Sequence, residues 1–154
     1  MKTQTEHTCD QADCAIRRRV LIVDDEPGIL FAYQRMLEEE GIQADSCNCL
    51  CEALEYLTKH QYLAVVTDID LKGREHDEGL CLLGRVRQLQ PEAVVIVASA
   101  ASADGVREEA RQLGASHYLE KPVNPVTILG LLKRLVVGKE QSPGGLMAIQ
   151  PSGG

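Results

Sequence analysis

Five side chains in this sequence have the types needed to work together. Asp24 and Asp25 follow the apolar run at 20–23, Asp68 follows the run at 63–67, Ser99 closes the run at 93–98, and Lys121-Pro122 follows a short segment at 116–120. Carboxylates gathered at one place repel by about 4 kcal/mol per pair at ~4 Å and an effective dielectric of ~20. Lys121 supplies one compensating charge, and a hard divalent cation with oxygen ligands would supply the rest. Mg²⁺ suits such a set. It favours oxygens at about 2.0–2.1 Å and keeps several waters, so positions stay open for a phosphoryl group.

What must position those side chains is an alternation of strand-like and helix-like segments. Strands are predicted at 19–25, 42–47, 63–68, 93–99 and 116–121, and helices at 27–41, 51–60, 79–90, 102–114 and 124–137. Pro27 and Pro125 sit at helix starts, Gly41 and Gly114 at helix stops, Pro91 closes the third helix, and Ser102 is the expected N-cap of the fourth. Ile29, Leu30, Tyr33 and Leu37 form the inner stripe of the first helix. The first, third and fourth strands are apolar throughout, which predicts burial on both faces of a parallel sheet covered by helices; 42–47 alternates and reads as an edge strand. Right-handed crossovers put all strand carboxyl ends on one edge, where sheets of this kind bind their ligands. The expected class is therefore α/β, a doubly wound (βα)5 parallel sheet with the carboxylates, Ser99 and Lys121 on one rim.

The chain has 154 residues, 44% apolar and 25% charged, with a net charge of -7. That suits one domain with a full core. An acidic surface without Trp and with a single Phe predicts no nucleic-acid contact. The N-terminus has no apolar signal segment and no stretch reaches membrane-spanning length, so a cytoplasmic protein with reduced thiols is expected. Residues 1–18 are polar and aperiodic, an extension. Residues 138–154 are rich in Gly, Pro and Ser, a loose tail. The folded part is expected at 19–137.

The set Asp24-Asp25, Asp68, Ser99, Tyr118 and Lys121-Pro122 resembles, in order and spacing, the receiver domain of two-component response regulators. The resemblance covers about residues 19–137. It implies a flavodoxin-like receiver fold with strand order 2-1-3-4-5. It implies that Asp68 accepts a phosphoryl group from a phosphohistidine on a sensor histidine kinase or phosphotransfer protein. Asp25 and Asp68 would ligate Mg²⁺ directly, together with the backbone carbonyl of Asp70, and Asp24 would act through a metal-bound water. Lys121 and the cation would neutralise the equatorial phosphoryl oxygens, since positioning and electrostatics carry such a transfer. Ser99 would then bond a phosphoryl oxygen, Tyr118 would turn inward, and the face made by the fourth helix, fifth strand and fifth helix would change. A homodimer or an output partner would dock there. Phosphorylation would bias two pre-existing states by its differential affinity for them.

Departures from that pattern are few. Lys72 stands where the family often has Pro, and the loop after Asp68 is about three residues longer than the common form. Asp70 and Ala101 are expected to tune phosphoryl lifetime. Asp24-Asp25-Glu26 alone could be a helix-start acidic cluster favoured by the macrodipole; combination with Asp68 and Lys121 argues otherwise. Ser99 could instead cap the fourth helix, a role Ser102 fills better. Cys47, Cys49 and Cys51, with His60 or Cys81, do not match zinc spacing, nor do His7, Cys9 and Cys14 form a strong cluster. The fifth helix is apolar nearly all round, so either the tail at 146–149 or a partner should cover it. Two other functions compete. Asp68 and Asp70 resemble the D-x-D of haloacid-dehalogenase phosphatases, although that motif usually ends the first strand. A pseudo-receiver that binds partners unphosphorylated would not need the complete acidic set.

Overall fold

The computed structural model describes residues 18–69, 77–100 and 104–140. Strands and helices alternate strictly: β1 (Arg19–Val23), α1 (Pro27–Glu39), β2 (Gln43–Cys47), α2 (Leu50–Lys59), β3 (Ala64–Asp68), α3 (Asp77–Leu89), β4 (Val94–Ser99), α4 (Asp104–Gln112), β5 (His117–Glu120) and α5 (Pro125–Glu140). The five strands are parallel in the order β2-β1-β3-β4-β5. This is the predicted doubly wound α/β sheet, with β1 and β3 as central neighbours.

Side chains of one strand alternate between two cores. Val20 and Ile22 of β1, Ala64 and Val66 of β3 and Ile96 of β4 pack with Tyr33 and Leu37 of α1 and with Ile128 and Leu132 of α5. Leu21, Val23, Val65, Val95 and Val97 face the other way, toward Ala53, Leu57, Leu82, Leu83, Val86 and Ala110 of α2, α3 and α4. A strand buried on both faces has no position to give to a polar residue. That is why β1, β3 and β4 read as unbroken apolar runs.

The ends of the elements differ from the sequence expectation in instructive ways. The first strand stops at Val23, not 25. The Asp24 N–H still reaches Cys47 O at 3.1 Å, but Asp24 Oδ1 accepts the Glu26 N–H at 2.9 Å. That short loop turns the chain into α1, whose first residue is Pro27. Helices α1 and α4 end at Glu39 and Gln112, each two residues before the expected stop glycine, Gly41 and Gly114, which adopt φ of 77° and 115°. Ile42 N–H bonds Leu37 O and Ala115 N–H bonds Ala110 O, the closing bonds of Schellman turns. Helix α5 runs on to Glu140, past the expected end at 137, carrying Gly138 within its last turn. Residue Ser102, the expected cap of α4, lies outside the described residues, as do the extension at 1–17, the tail at 141–154 and the loop at 70–76. Among the described residues no helix is long and apolar enough to cross a membrane.

At the pole of the sheet opposite the strand carboxyl ends, Gln90 closes α3. It is 4% exposed. Its Nε2 donates to Leu57 O (2.9 Å) and His60 O (2.6 Å), and its Oε1 accepts the Tyr62 N–H at 2.8 Å. Beside it, Asp45 Oδ2 accepts from Tyr62 Oη (2.7 Å) and pairs with Arg19 (2.6 Å).

Candidate functional site

Because β1 and β3 are adjacent and Val23 pairs with Thr67, the residues that follow, Asp24 and Asp68, emerge side by side. They are 6% and 5% exposed. Carboxylate oxygens of Asp24, Asp25 and Asp68 all lie within 4.8 Å of one another. From beyond β5, Lys121 reaches across β4: its Nζ is 2.8 Å from Asp68 Oδ2 and 3.5 Å from Asp24 Oδ2. The Lys121 N–H donates to Ser99 O at 2.8 Å, so the same residue ties the β5 exit to the end of β4. The Lys121-Pro122 peptide bond is cis.

The electrostatics follow from burial. Burial, with the field of Asp68 added, holds the Asp24 carboxyl above its ordinary 3.8, against the Glu26 N–H and Lys121, which pull it down. Burial works against the Lys121 ammonium too. There the hydrogen bond to Asp68 and the fields of Asp24 and Asp68 outweigh it, and its pKa rises. One ammonium among three carboxylates leaves two negative charges, the complement of one divalent cation. The donors are all hard oxygens, the class that Mg²⁺ takes. The residues therefore fit such an ion.

Ser99 ends β4 fully buried. Tyr118 is half-buried on β5, opposite Val97, two register steps behind the Ser99–Glu120 pair. Arg107 of α4 lies over the Tyr118 ring, its Cζ 5.0 Å from the centroid, and approaches the Glu120 carboxylate at 3.9 Å. Six of the eight residues expected at the site thus occupy its rim or the strands leading from it. The other two, Asp70 and Ala101, lie outside the described residues. Among the described residues, the acidic trio is the group of metal-binding type that comes together; no cysteine or histidine joins it. Cys47, Cys49, Cys51 and Cys81 are free thiols, and burial pushes the Cys47 thiol up to about 12.

Sequence reasoning missed what lies behind the carboxylates. A cavity of about 410 Å³ runs from Asp24, Asp68 and Lys121 between α1 and the 121–123 segment, walled by Ile22, Ile29 and Val123, with Tyr33 on its lining. Tyr33 had been legible only as a member of the inner stripe of α1. The signal was its polar tip in an otherwise aliphatic stripe.

A sequence model of the response regulator receiver domain matches residues 20–133. A putative response regulator, NtrX-like, from Rickettsia bellii is 36% identical over 115 residues, 75% of this chain and 24% of that protein. The chain thus spans about a quarter of the length of such curated relatives. A CheY-like receiver domain protein from Methanospirillum hungatei superposes with a TM-score of 0.73 at 28% identity, covering 81% of this chain and 98% of that one. A response regulator from Burkholderia pseudomallei, solved with a phosphorylated aspartic acid, calcium ion and citrate, gives 0.68 at 25% identity, covering 86% and 77%.

Proposed function

The chain belongs to the response regulator receiver domain family, and from that premise we propose that Asp68 accepts a phosphoryl group from a phosphohistidine on a sensor kinase or phosphotransfer protein. An oxygen of Asp68 forms the new bond to phosphorus as the P–N bond breaks, and the imidazole leaves with that electron pair. Asp25, Asp68 and the Asp70 carbonyl would hold Mg²⁺ directly, with Asp24 acting through a bound water. When bound, the ion would neutralise charge on the transferring group. Lys121 does the same from the protein side: its ammonium already lies 2.8 Å from the Asp68 oxygen and is poised to contact phosphoryl oxygens. Ser99 would receive a phosphoryl oxygen, Tyr118 would respond, and the α4–β5–α5 face would present the altered surface to a second copy or an output partner. The chain would act on itself, by gaining and losing the phosphoryl group, rather than turn over other substrates.

The observation that carries this reading is the position of Lys121 between two buried carboxylates, inside a trio whose oxygens fit one cation. Asp68 closes the third strand of the chain, not the first, which weighs against a haloacid-dehalogenase phosphatase. Incubation with acetyl phosphate and Mg²⁺, followed by intact mass, tests the proposal. The expected result is a gain of one phosphoryl group that is lost in Asp68→Asn. Equal gain in Asp68→Asn would overturn it.

A further inference from the structure

Tyr33 is left without a task by the chemistry above, yet its surroundings single it out. It is 7% exposed, and no hydrogen bond to another described residue satisfies its hydroxyl. Buried polar groups in folded proteins are satisfied by protein or by ordered water. Tyr33 lines the cavity that Asp24, Asp68 and Lys121 also line. At about 410 Å³ that space far exceeds the ~10–15 Å³ a single water needs, and a stable buried water wants about three polar partners.

Those partners can be counted. The Lys121 ammonium has three protons; Asp68 and Asp24 accept two of them. Asp24 uses Oδ1 for the Glu26 N–H and Oδ2 for Lys121, and each oxygen keeps a further lone pair. Lys121 with its third proton, Asp24 with its spare lone pairs and Tyr33 therefore line one cavity, which has room for ordered water between them. Asp24 and Lys121 are also the two groups whose charges reach the Tyr33 phenol, which burial, with Asp24 added, pushes up to about 12.

We propose that Tyr33 is a positioning residue of the acidic pocket: through a buried water its hydroxyl holds Asp24 and Lys121 in the arrangement that receives a divalent cation. The inference rests on the receiver reading and adds a supporting group behind the carboxylates. Groups that orient ligands in this way typically change metal affinity about 10–100-fold when removed. The route here is indirect, through a water, so the lower end of that range is expected.

The full chain contains four tyrosines and no tryptophan, so tyrosine emission is unmasked. The wild type, Tyr33→Phe, Tyr33→Leu and Tyr56→Phe would be titrated with MgCl2 by calorimetry and by emission, with thermal midpoints taken on the same samples. The expected result is about tenfold weaker Mg²⁺ binding in Tyr33→Phe, with the Mg²⁺-induced emission change largely gone and the thermal midpoint little altered. Tyr56→Phe should behave as wild type. Tyr33→Leu should weaken binding no further than Tyr33→Phe, because the hydroxyl and not the ring is the active part. If Tyr33→Phe binds as wild type, or if only Tyr33→Leu is impaired, the residue serves packing alone and the inference falls while the receiver reading stands. If the wild type binds no Mg²⁺ and gains no phosphoryl group from acetyl phosphate, both fall together.

Discussion

At the scale of single residues, the pocket holds groups in a state that folding alone would not favour. Asp24 is the clearest case, because its carboxyl titrates above the ordinary 3.8 in the folded chain. A carboxyl raised on folding binds its proton more tightly in the native state than in the unfolded one. Its contribution to stability is then present below the unfolded value and is lost as pH rises through the folded value. Ionised Asp24 is thus a cost near neutral pH in the absence of metal. The expected outcome is that Asp24→Asn melts higher than wild type in EDTA at pH 7. The gap should shrink as pH falls and wild-type Asp24 takes up its proton, which it does at a higher pH than an ordinary carboxyl. Added Mg²⁺ should reverse the order, since only the wild type keeps the full acidic set. A gap that does not change with pH would refute the assignment. The residues that carry this cost were legible in the sequence, because a carboxylate directly after a buried strand has little structural use. Tyr33 was not: its phenol occupies a regular apolar position on α1, and only the cavity beside it separates it from a core residue.

Elements are set by apolar pattern and by the few polar groups that join them, and only the first of these is visible in one dimension. β1, β3 and β4 declared themselves through unbroken runs, and α1 and α4 through glycines that close Schellman turns. The first strand was read two residues too long because acidic residues continue the segment in sequence, whereas in space the Asp24–Glu26 bond has already turned the chain. Gly79 gave no signal, yet a Cβ there would lie 2.5 Å from Ile69 Cα and O, so α3 starts against the backbone next to Asp68. Gln90 was read simply as the end of a helix. It joins α2, α3 and the segment leading into β3 through three hydrogen bonds, two of them fully buried. Replacing it with Leu keeps the volume and removes every partner. Unpaired buried groups cost about 1–3 kcal/mol each, and partial relaxation should leave a loss of about 2–4 kcal/mol in urea unfolding. Because Gln90 sits at the pole away from Asp68, phosphorylation by acetyl phosphate should persist in the folded fraction of Gln90→Leu. Loss of phosphoryl gain without loss of stability would show that Gln90 has been assigned to the wrong pole.

At the scale of the whole molecule, the two poles of the sheet have opposite duties. One pole is tied by Gln90, Tyr62, Asp45 and Arg19; the other gathers unlike charges around Asp68, the proposed phosphoryl acceptor. A change at that pole can travel only through an element free to take a second arrangement. Helix α4 is held by few buried side chains. Ala110 is its fully buried residue, Val106 in its first turn and Leu113 just beyond its end add partial cover, and most of its remaining described side chains are exposed. By contrast α1 buries Tyr33 and Leu37, and α5 buries Ile128 and Leu132. What fastens α4 to β5 is Arg107, stacked on Tyr118 and facing Glu120 at the surface. Exposed cation–π contacts contribute about 0.5–1 kcal/mol and surface ion pairs about as little, so this fastening can shift populations severalfold without governing the fold. Hydrogen exchange should therefore show α4 opening at lower free energy than α1 or the central strands. Beryllofluoride with Mg²⁺, a phosphoryl mimic, should alter protection in α4 and β5 and leave that around Gln90 unchanged. Arg107→Ala should loosen α4 and β5 further in the unliganded chain, by about twofold to fivefold in exchange rate, the factor equivalent to the energy of the contact it removes. Uniform protection changes across all five helices would mean that the switch is global and that α4 is not its hinge.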